Sequence, residues 1–371
     1  MSTPTTENTG SVRAGVVGLG WAGRQHMHAY AEQADVELVA LAGMEADQLE
    51  LLGDQYGVAP EHRFADWKDL VAAGCVDVLS IATPTTLHAP ITTAALDAGI
   101  HVLCEKPMAE TGDVAQTMVD AARRNGKVLE VSFNHRRRGD VQALKQLIDA
   151  GVLGDIYYAK AGWLRREGIP GMGSWFTRQA KSGGGPLMDI GVHMLDMSLH
   201  LLGEPAVTSA TAATYAEFGP RGKGAAAYGL GRKTDVTADD FDVEDLATAF
   251  LRLDGGGTLL LESSWAQWIP YDQCYVTLYG SEGGASIEWG GEPRDRYRRL
   301  GIWTEKDGVP AELTPVVPPD GHHLETVIQF LAAVRSGAVA EHDGSEALVR
   351  AKIVDACYAS AAKRAEVALQ T

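Results

Sequence analysis

Val12-Arg13-Ala14-Gly15-Val16-Val17-Gly18-Leu19-Gly20-Trp21-Ala22-Gly23 is a buried-strand pattern that runs directly into a GxGxxG turn. The turn opens a helix predicted over 22–33, and a second apolar strand, Val36–Ala42, follows at the spacing of a βαβ unit. Gly18 permits the tight turn, Gly20 lets backbone approach a pyrophosphate, and Gly23 allows helix and strand to pack closely. Trp21 and Ala22 begin the helix, whose N-terminus supplies amide donors and a positive dipole to a bound anion. Glycine-rich turns are common. The strand–turn–helix context gives this one its meaning as a dinucleotide site.

The end of the second strand departs from the usual fingerprint. An acidic residue normally stands there and accepts hydrogen bonds from the adenosine ribose. This chain has Gly43-Met44, with Glu45 two places on. Glu45 is therefore the candidate ribose contact; the alternative is a carboxylate that simply begins the next helix, where it suits the dipole. No arginine or lysine stands nearby to neutralise a 2′-phosphate, so NAD is expected rather than NADP.

Further along, helices predicted over 47–56, 67–73, 89–98 and 114–124 alternate with strands over 76–82, 100–104 and 128–133. Such alternation implies right-handed crossovers and a parallel sheet. The strand ends at Gly18, Thr83, Lys106 and Asn134 should then share one edge, where ligands of such sheets bind. Val102-Leu103-Cys104-Glu105-Lys106-Pro107 delivers a lysine to that edge, and Pro107 stiffens the turn. Lys106 reads as a reactive lysine beside a nucleotide crevice.

Composition bounds the rest. The chain has 371 residues, 45% of them hydrophobic, which suits two domains with ordinary cores. Its net charge of −17 is spread along the sequence and argues against nucleic acid as a partner. Cys75, Cys104, Cys274 and Cys357 lack the spacing of a zinc site or a disulfide framework. Residues 1–10 read as a loose, flexible tail without signal character, and no apolar run is long enough to span a membrane. A cytoplasmic location is expected.

Beyond Asn134 the pattern changes. A helix over 141–150 and the strand Ile156–Leu164 precede a glycine-rich stretch and a long amphipathic helix predicted over 186–202. Strands predicted over 206–215, 246–253, 258–265, 275–279 and 285–289 are joined by short glycine turns, which indicates antiparallel hairpins. Helices over 323–336 and 345–364 close the chain. Residues 219–240 read as a surface insertion, with a lid as the alternative. The fold class is α/β: a dinucleotide domain over 11–134, then an α+β substrate domain over 135–371 built on an open, mainly antiparallel sheet.

Asp189-Ile190-Gly191-Val192-His193 lies within that long helix. Asp189 and His193, at i and i+4, share a helix face and address one ligand together. Histidine suits proton transfer near neutral pH, and a carboxylate beside it orients or charges it. Asp189, His193, Asp196 and His200 also form a stripe, but it spans roughly 16 Å, too far for one metal ion. No metal is expected; Asp196 and His200 read as capping or surface residues.

GLGWAG, ATPTTLH, CEKP, GGGPLMDIGVHMLD, DVED and YGSEGGASIEW, in this order, resemble the glucose–fructose oxidoreductase/inositol dehydrogenase family (Gfo/Idh/MocA). The resemblance covers nearly the whole chain. It implies an N-terminal Rossmann domain, a C-terminal sheet that forms a homo-oligomer contact in a dimer or tetramer, and a cis peptide before Pro107. It further implies catalysis by Lys106, which binds the reacting hydroxyl, and by His193, which takes its proton, with Asp189 binding substrate or orienting the pair. Thr83, Pro84 and His88 would line the cofactor cleft with Lys106, and Glu105 would lie beside the nicotinamide ribose.

Trp163, Arg165, Trp175 and His135 are candidate substrate contacts. Tryptophan faces suit the apolar face of a sugar ring, and arginine donors suit its hydroxyls. Arg136-Arg137-Arg138 reads either as an attractor for an anionic substrate or as a solvated helix-entry cluster. The expected activity is NAD-dependent, reversible oxidation of a secondary hydroxyl on a sugar, glycoside or cyclitol by hydride transfer. One alternative is a glycosidase-like enzyme that oxidises its substrate transiently with retained NAD. The other is a non-catalytic dinucleotide-binding protein.

Overall fold

The computed structural model describes residues 11–226, 240–292 and 295–369. The expected tail at 1–10 and residues 227–239 of the insertion fall outside that range.

The first half alternates strand and helix: β1 (Val12–Val17), α1 (Trp21–Ala31), β2 (Val36–Ala42), α2 (Ala46–Tyr56), β3 (Arg63–Phe64), α3 (Trp67–Ala72), β4 (Val78–Ile81), α4 (His88–Asp97), β5 (His101–Cys104), α5 (Gly112–Asn125) and β6 (Leu129–Val131). The strands form one parallel sheet in the order β3-β2-β1-β4-β5-β6. Helices cover both faces, so strands such as β4 are apolar and buried throughout. Gly18 is required here: its φ is +101°, and a Cβ would lie 2.2 Å from the Ala82 carbonyl oxygen. Gly23 packs so closely that its Cβ would meet the Gly18 oxygen at 1.9 Å.

The second half contributes α6 (Gly139–Asp149), β7 (Ile156–Leu164), α7 (Gln179–Ser182), α8 (Val192–Leu202), β8 (Val207–Tyr215), β9 (Leu246–Leu253), β10 (Thr258–Ser264), β11 (Asp272–Gly280), β12 (Gly283–Glu292), β13 (Asp295–Lys306), β14 (Val309–Leu313), α9 (His322–Ser336), α10 (Ser345–Lys363) and β15 (Val367–Ala368). Its sheet runs β14-β13-β12-β11-β7-β10-β9-β8-β15. The expected antiparallel meander is interrupted at its centre. There β7 lies between β10 and β11 and pairs with β10 in parallel, so the sheet is mixed although mostly antiparallel. The hairpin β13–β14 is absent from the sequence expectation because β13 buries only Ile302 and shows no apolar alternation.

Three further expectations are corrected. The helix over 186–202 is not amphipathic: it starts as a wider π turn, Leu187–Gly191, and α8 is buried on every side. One side meets the sheet core, while Val192 enters the core of the parallel domain. An all-round apolar helix is what such a sandwiched position requires. Asp196 is not a surface residue but 1% exposed, paired with Arg136 and with Arg350 at 3.1 Å. His200 is half-buried, and burial pushes its imidazole down to about 4.

Two of the three arginines of the basic run are paired inside the fold rather than free for an anion. Arg136 is taken by Asp196 and Glu346, and Arg138 by Asp140 at 2.7 Å. The two sheets divide near residue 134, yet the chain returns to the first. Val327, Phe330 and Leu331 of α9 share a core with Val16, Met27 and Tyr30, so a substrate domain of 135–371 is too broad.

Candidate active site

All six strands of the first sheet point the same way, which brings Gly18, Thr83, Lys106 and Asn134 to one edge. The bonds Ala82 N–Val17 O (2.8 Å), Glu105 N–Ile81 O (2.8 Å) and Ser132 N–Cys104 O (2.8 Å) fix their relative heights. The π turn before α8 approaches this edge from the second domain. Lys106, in a cis peptide with Pro107, extends across the junction and donates through Nζ to Asp189 Oδ1 at 3.1 Å and to the Asp189 carbonyl at 2.9 Å.

The other Asp189 oxygen is held from a third direction. The fully buried Trp265, just past β10, donates from Nε1 to Oδ2 at 2.9 Å. Burial pushes the Asp189 carboxyl up, but the Lys106 and Arg165 charges and these hydrogen bonds outweigh it and hold the group below its ordinary value. Asp189 is thus an anion that fixes a lysine.

His193 lies one turn on, 8% exposed, with Nδ1 buried and lacking a partner among the described residues. Burial, then the charges of Lys106 and His135, hold its pKa well below the ordinary imidazole range. The ring is therefore neutral near pH 7, the form a general base requires. Its ring neighbours are His135 (centroids 4.5 Å apart) and Trp163 (6.0 Å). Trp163 and Trp289 meet edge-on at 6.1 Å, and Arg138 stacks over Trp289 at 3.8 Å. Arg165 lies over the Trp163 ring and donates to the Gly168 carbonyl. Trp175 stands apart from this cluster: it stacks on Phe176 at 3.8 Å.

Below Lys106 lies a buried polar chain. Glu105 accepts from His26 Nε2 at 3.0 Å and faces His323 Nε2 at 3.5 Å. His26 Nδ1 pairs with Ser80 Oγ, as does the Tyr30 hydroxyl, both at 2.9 Å. Burial pushes the Glu105 carboxyl up, but its two histidine partners hold it well below the ordinary range. Trp21, 70% exposed, meets His323 edge-on at 5.2 Å.

His88 is buried, its ring nitrogens 2.8 and 2.9 Å from the carbonyl oxygens of Pro107 and Thr83. Set between these two carbonyls, the ring braces the Thr83 turn against the lysine turn. Pro84 starts the short 3₁₀ turn between Thr83 and His88.

The crevice fits a dinucleotide. Gly20 caps α1 without a side-chain hydrogen bond, and a Cβ there would meet open space, so the first amides of α1 face a clear approach. The Thr83 hydroxyl is buried without a partner among the described residues. At Gly43 a Cβ would fall 2.5 Å from the Leu19 side chain, so the usual acidic residue would require Leu19 to shift. The Glu45 carboxylate instead reaches to 3.5 Å from that same point. Glu45 is the N-cap residue of α2, yet its side chain makes no capping bond.

Sequence reasoning missed Trp265, Trp289, His26, His322 and His323. His26 follows Gly23 by one helical turn and was legible as an inward residue of α1. The others act from elements distant in sequence, and no local spacing marks them.

Residues 12–133 match the GFO/IDH/MocA oxidoreductase family, NAD-binding Rossmann fold, and residues 141–286 match the GFO/IDH/MocA C-terminal domain. D-glucoside 3-dehydrogenase of Escherichia coli K12 is 34% identical over 356 residues, 94% of this chain and 95% of that protein. A putative UDP-kanosamine synthase oxidoreductase subunit of Amycolatopsis mediterranei is 37% identical over 278 residues, 75% of each chain. Levoglucosan dehydrogenase in complex with NADH superposes with a TM-score of 0.80 at 26% identity, covering 97% of this chain and 100% of that one.

Proposed function

The chain belongs to the GFO/IDH/MocA family and is an oxidoreductase acting on CH–OH groups, and from that premise we propose that it is an NAD-dependent dehydrogenase of a sugar or glycoside secondary hydroxyl. The observation that carries this reading is the meeting of Lys106, Asp189 and His193 at one junction, beside the Trp163–Trp289 ring pair.

Bound NAD supplies the hydride acceptor. Gly18, Gly20 and the first turn of α1 would hold its pyrophosphate, Glu45 its adenosine ribose, and Thr83 and Glu105 would line its nicotinamide end. Lys106 donates to the reacting hydroxyl oxygen, and its positive charge stabilises the alkoxide character that develops there. Asp189 and Trp265 keep the ammonium on that oxygen. His193 accepts the hydroxyl proton as general base and returns it when a ketone is reduced. Trp163 and Trp289 present an apolar corner suited to the face of a sugar ring, and His135 borders the same space.

Support for NAD over NADP comes from the position of Glu45; no lysine or arginine lies in sequence between Gly43 and Gln48, but the fold brings Arg24 to this turn, where it donates to the Leu19 carbonyl at 3.1 Å and to Gln48 at 2.5 Å. The relatives named for a glucoside, for levoglucosan and for apiose support a sugar substrate. Contact between copies is assigned to the outer face of the second sheet, where Tyr158 stacks on Tyr279 and Tyr275 lies over Gly162.

A panel of glycosides, free sugars and inositols, followed at the NADH absorbance with NAD or NADP, tests the reading. NADH formation with a glycoside or sugar is expected. Failure of every polyol with both cofactors overturns it, and sugar release without net NADH replaces it with transient oxidation.

A further inference from the structure

A base that is 8% exposed takes up one proton in each oxidation and must lose it before the next. The nearest titratable ring is that of His135, centroid to centroid 4.5 Å from His193, and beyond it stands His322 at 6.3 Å. The Nδ1 atoms of His193 and His135 are both buried without a hydrogen-bond partner among the described residues. The side chain of His322 is 46% exposed, and its Nε2 lies 3.5 Å from Asp320 Oδ2. The three histidines thus run from the buried base to the surface.

We propose that His135 and His322 form a proton-discharge line that carries the proton from His193 to solvent; this rests on the reading of His193 as the base.

The supporting segments are clamped together. Asp320 accepts from both terminal nitrogens of Arg298, at 2.5 and 2.7 Å, and from the Gly139 amide at 2.8 Å. Arg298 also donates to Asp140 at 2.7 Å, and the Gly321 amide donates to the Arg137 carbonyl at 2.8 Å. The Gly139–Asp320 and Gly321–Arg137 bonds tie the segment before α9 directly to the residues just after His135, and Arg298 of β13 bridges Asp320 to Asp140. His322 itself has φ +41°, a left-handed backbone uncommon outside glycine and typical of positions held for a purpose.

The proton inventory closes. The hydroxyl O–H bond breaks and an N–H bond forms on His193, while the C–H electron pair leaves with the hydride to bound NAD. No hydrogen bond joins these rings directly among the described residues, so each transfer, from His193 to His135, from His135 to His322 and from His322 to solvent or buffer base, runs through a bridging water. Each ring is neutral again after transfer, and reduction runs the line backward. Burial, reinforced by Arg138, pushes His135 down to about 3, so a proton does not rest there.

The experiment uses the full chain with the substrate on which it makes NADH. His322→Asn is preferred over alanine because asparagine tolerates the left-handed backbone. The line predicts a kcat about tenfold lower with KM unchanged, a fraction of the effect of losing a direct acid–base group. Added imidazole is expected to restore the rate saturably, and calorimetry to show unaltered sugar binding. With a pH-indicator dye, proton release is expected to lag NADH formation in a single turnover of the variant but not of the parent.

A full rate in His322→Asn, or a loss that imidazole does not restore, overturns the line while leaving the dehydrogenase reading intact. Failure of the parent chain to oxidise any polyol removes that reading and the line together.

Discussion

Replacing Trp265 by phenylalanine isolates one bond on which the site's geometry depends. The indole is fully buried, and its Nε1 donates to Asp189 Oδ2 at 2.9 Å. Phenylalanine keeps most of the apolar packing but removes the donor. A hydrogen bond to a charged acceptor is worth about 1.5–3 kcal/mol. The smaller ring also leaves a void of roughly 30 Å³, which at about 24 cal/mol per Å³ adds ~0.7 kcal/mol. Denaturant unfolding should therefore show a loss of about 2–4 kcal/mol.

Part of that cost falls on catalysis, because Asp189 loses the fixed point from which it holds Lys106. A tenfold rate change corresponds to about 1.4 kcal/mol, so kcat/KM is expected to fall about 10- to 100-fold. A double-mutant cycle with Asp189→Ala, which removes the acceptor, separates the bond from the void left by the smaller ring. Coupling of at least about 1 kcal/mol is expected. A cycle that closes additively, with kcat/KM of Trp265→Phe unchanged, would refute the claim that the indole holds the aspartate.

Three other perturbations follow from the same geometry. Burial, with the charges of Lys106 and His135, depresses His193, so its neutral form survives as pH falls through the ordinary imidazole range. The kcat/KM for oxidation should then stay level from pH 8 to about 6, and an acid limb centred near 6.5 would count against His193 as the base. Glu45→Gln should weaken NAD binding about tenfold in a fluorescence titration by removing a charged acceptor, and an unchanged Kd would move the ribose contact elsewhere. Arg350→Ala leaves Asp196, 1% exposed, without its 3.1 Å partner, and should destabilise the fold by about 3–5 kcal/mol in denaturant unfolding. A loss under 1 kcal/mol there would show that Arg136 alone satisfies the carboxylate.

What was legible in the sequence was local. Gly18, Gly20 and Gly23 announce a turn because each solves a steric problem within a few residues. The apolar runs of β1, β4 and β5 announce a parallel sheet because both of their faces are covered. Lys106, Asp189 and His193 were legible since alternation fixes which strand ends share an edge and helical spacing fixes which side chains share a face. The polar hairpin β13–β14 was not, because it borrows its regularity from β12 rather than from its own pattern. The basic run at Arg136 was misread for a related reason: its partners Asp196, Glu346 and Asp140 include two that lie 60 and 210 positions away.

The same distinction explains how the site is divided. The residues assigned to chemistry are set by backbone regularity: one at a strand end, two across the start of one helix. Those that brace them come from elsewhere: Trp265 beyond β10 holds Asp189, while His26 from α1 and His323 from α9 hold Glu105, the neighbour of Lys106. Gly43 shows the principle at one position: the Leu19 side chain packs where a Cβ would stand, and the Glu45 carboxylate, two residues on, comes to 3.5 Å from that point, which is the ground for the proposed ribose contact. A missing motif residue therefore does not mean a missing function when the backbone places another carboxylate at the same point. This is why binding by Glu45, rather than the identity of residue 43, is the property on which the NAD assignment should stand or fall.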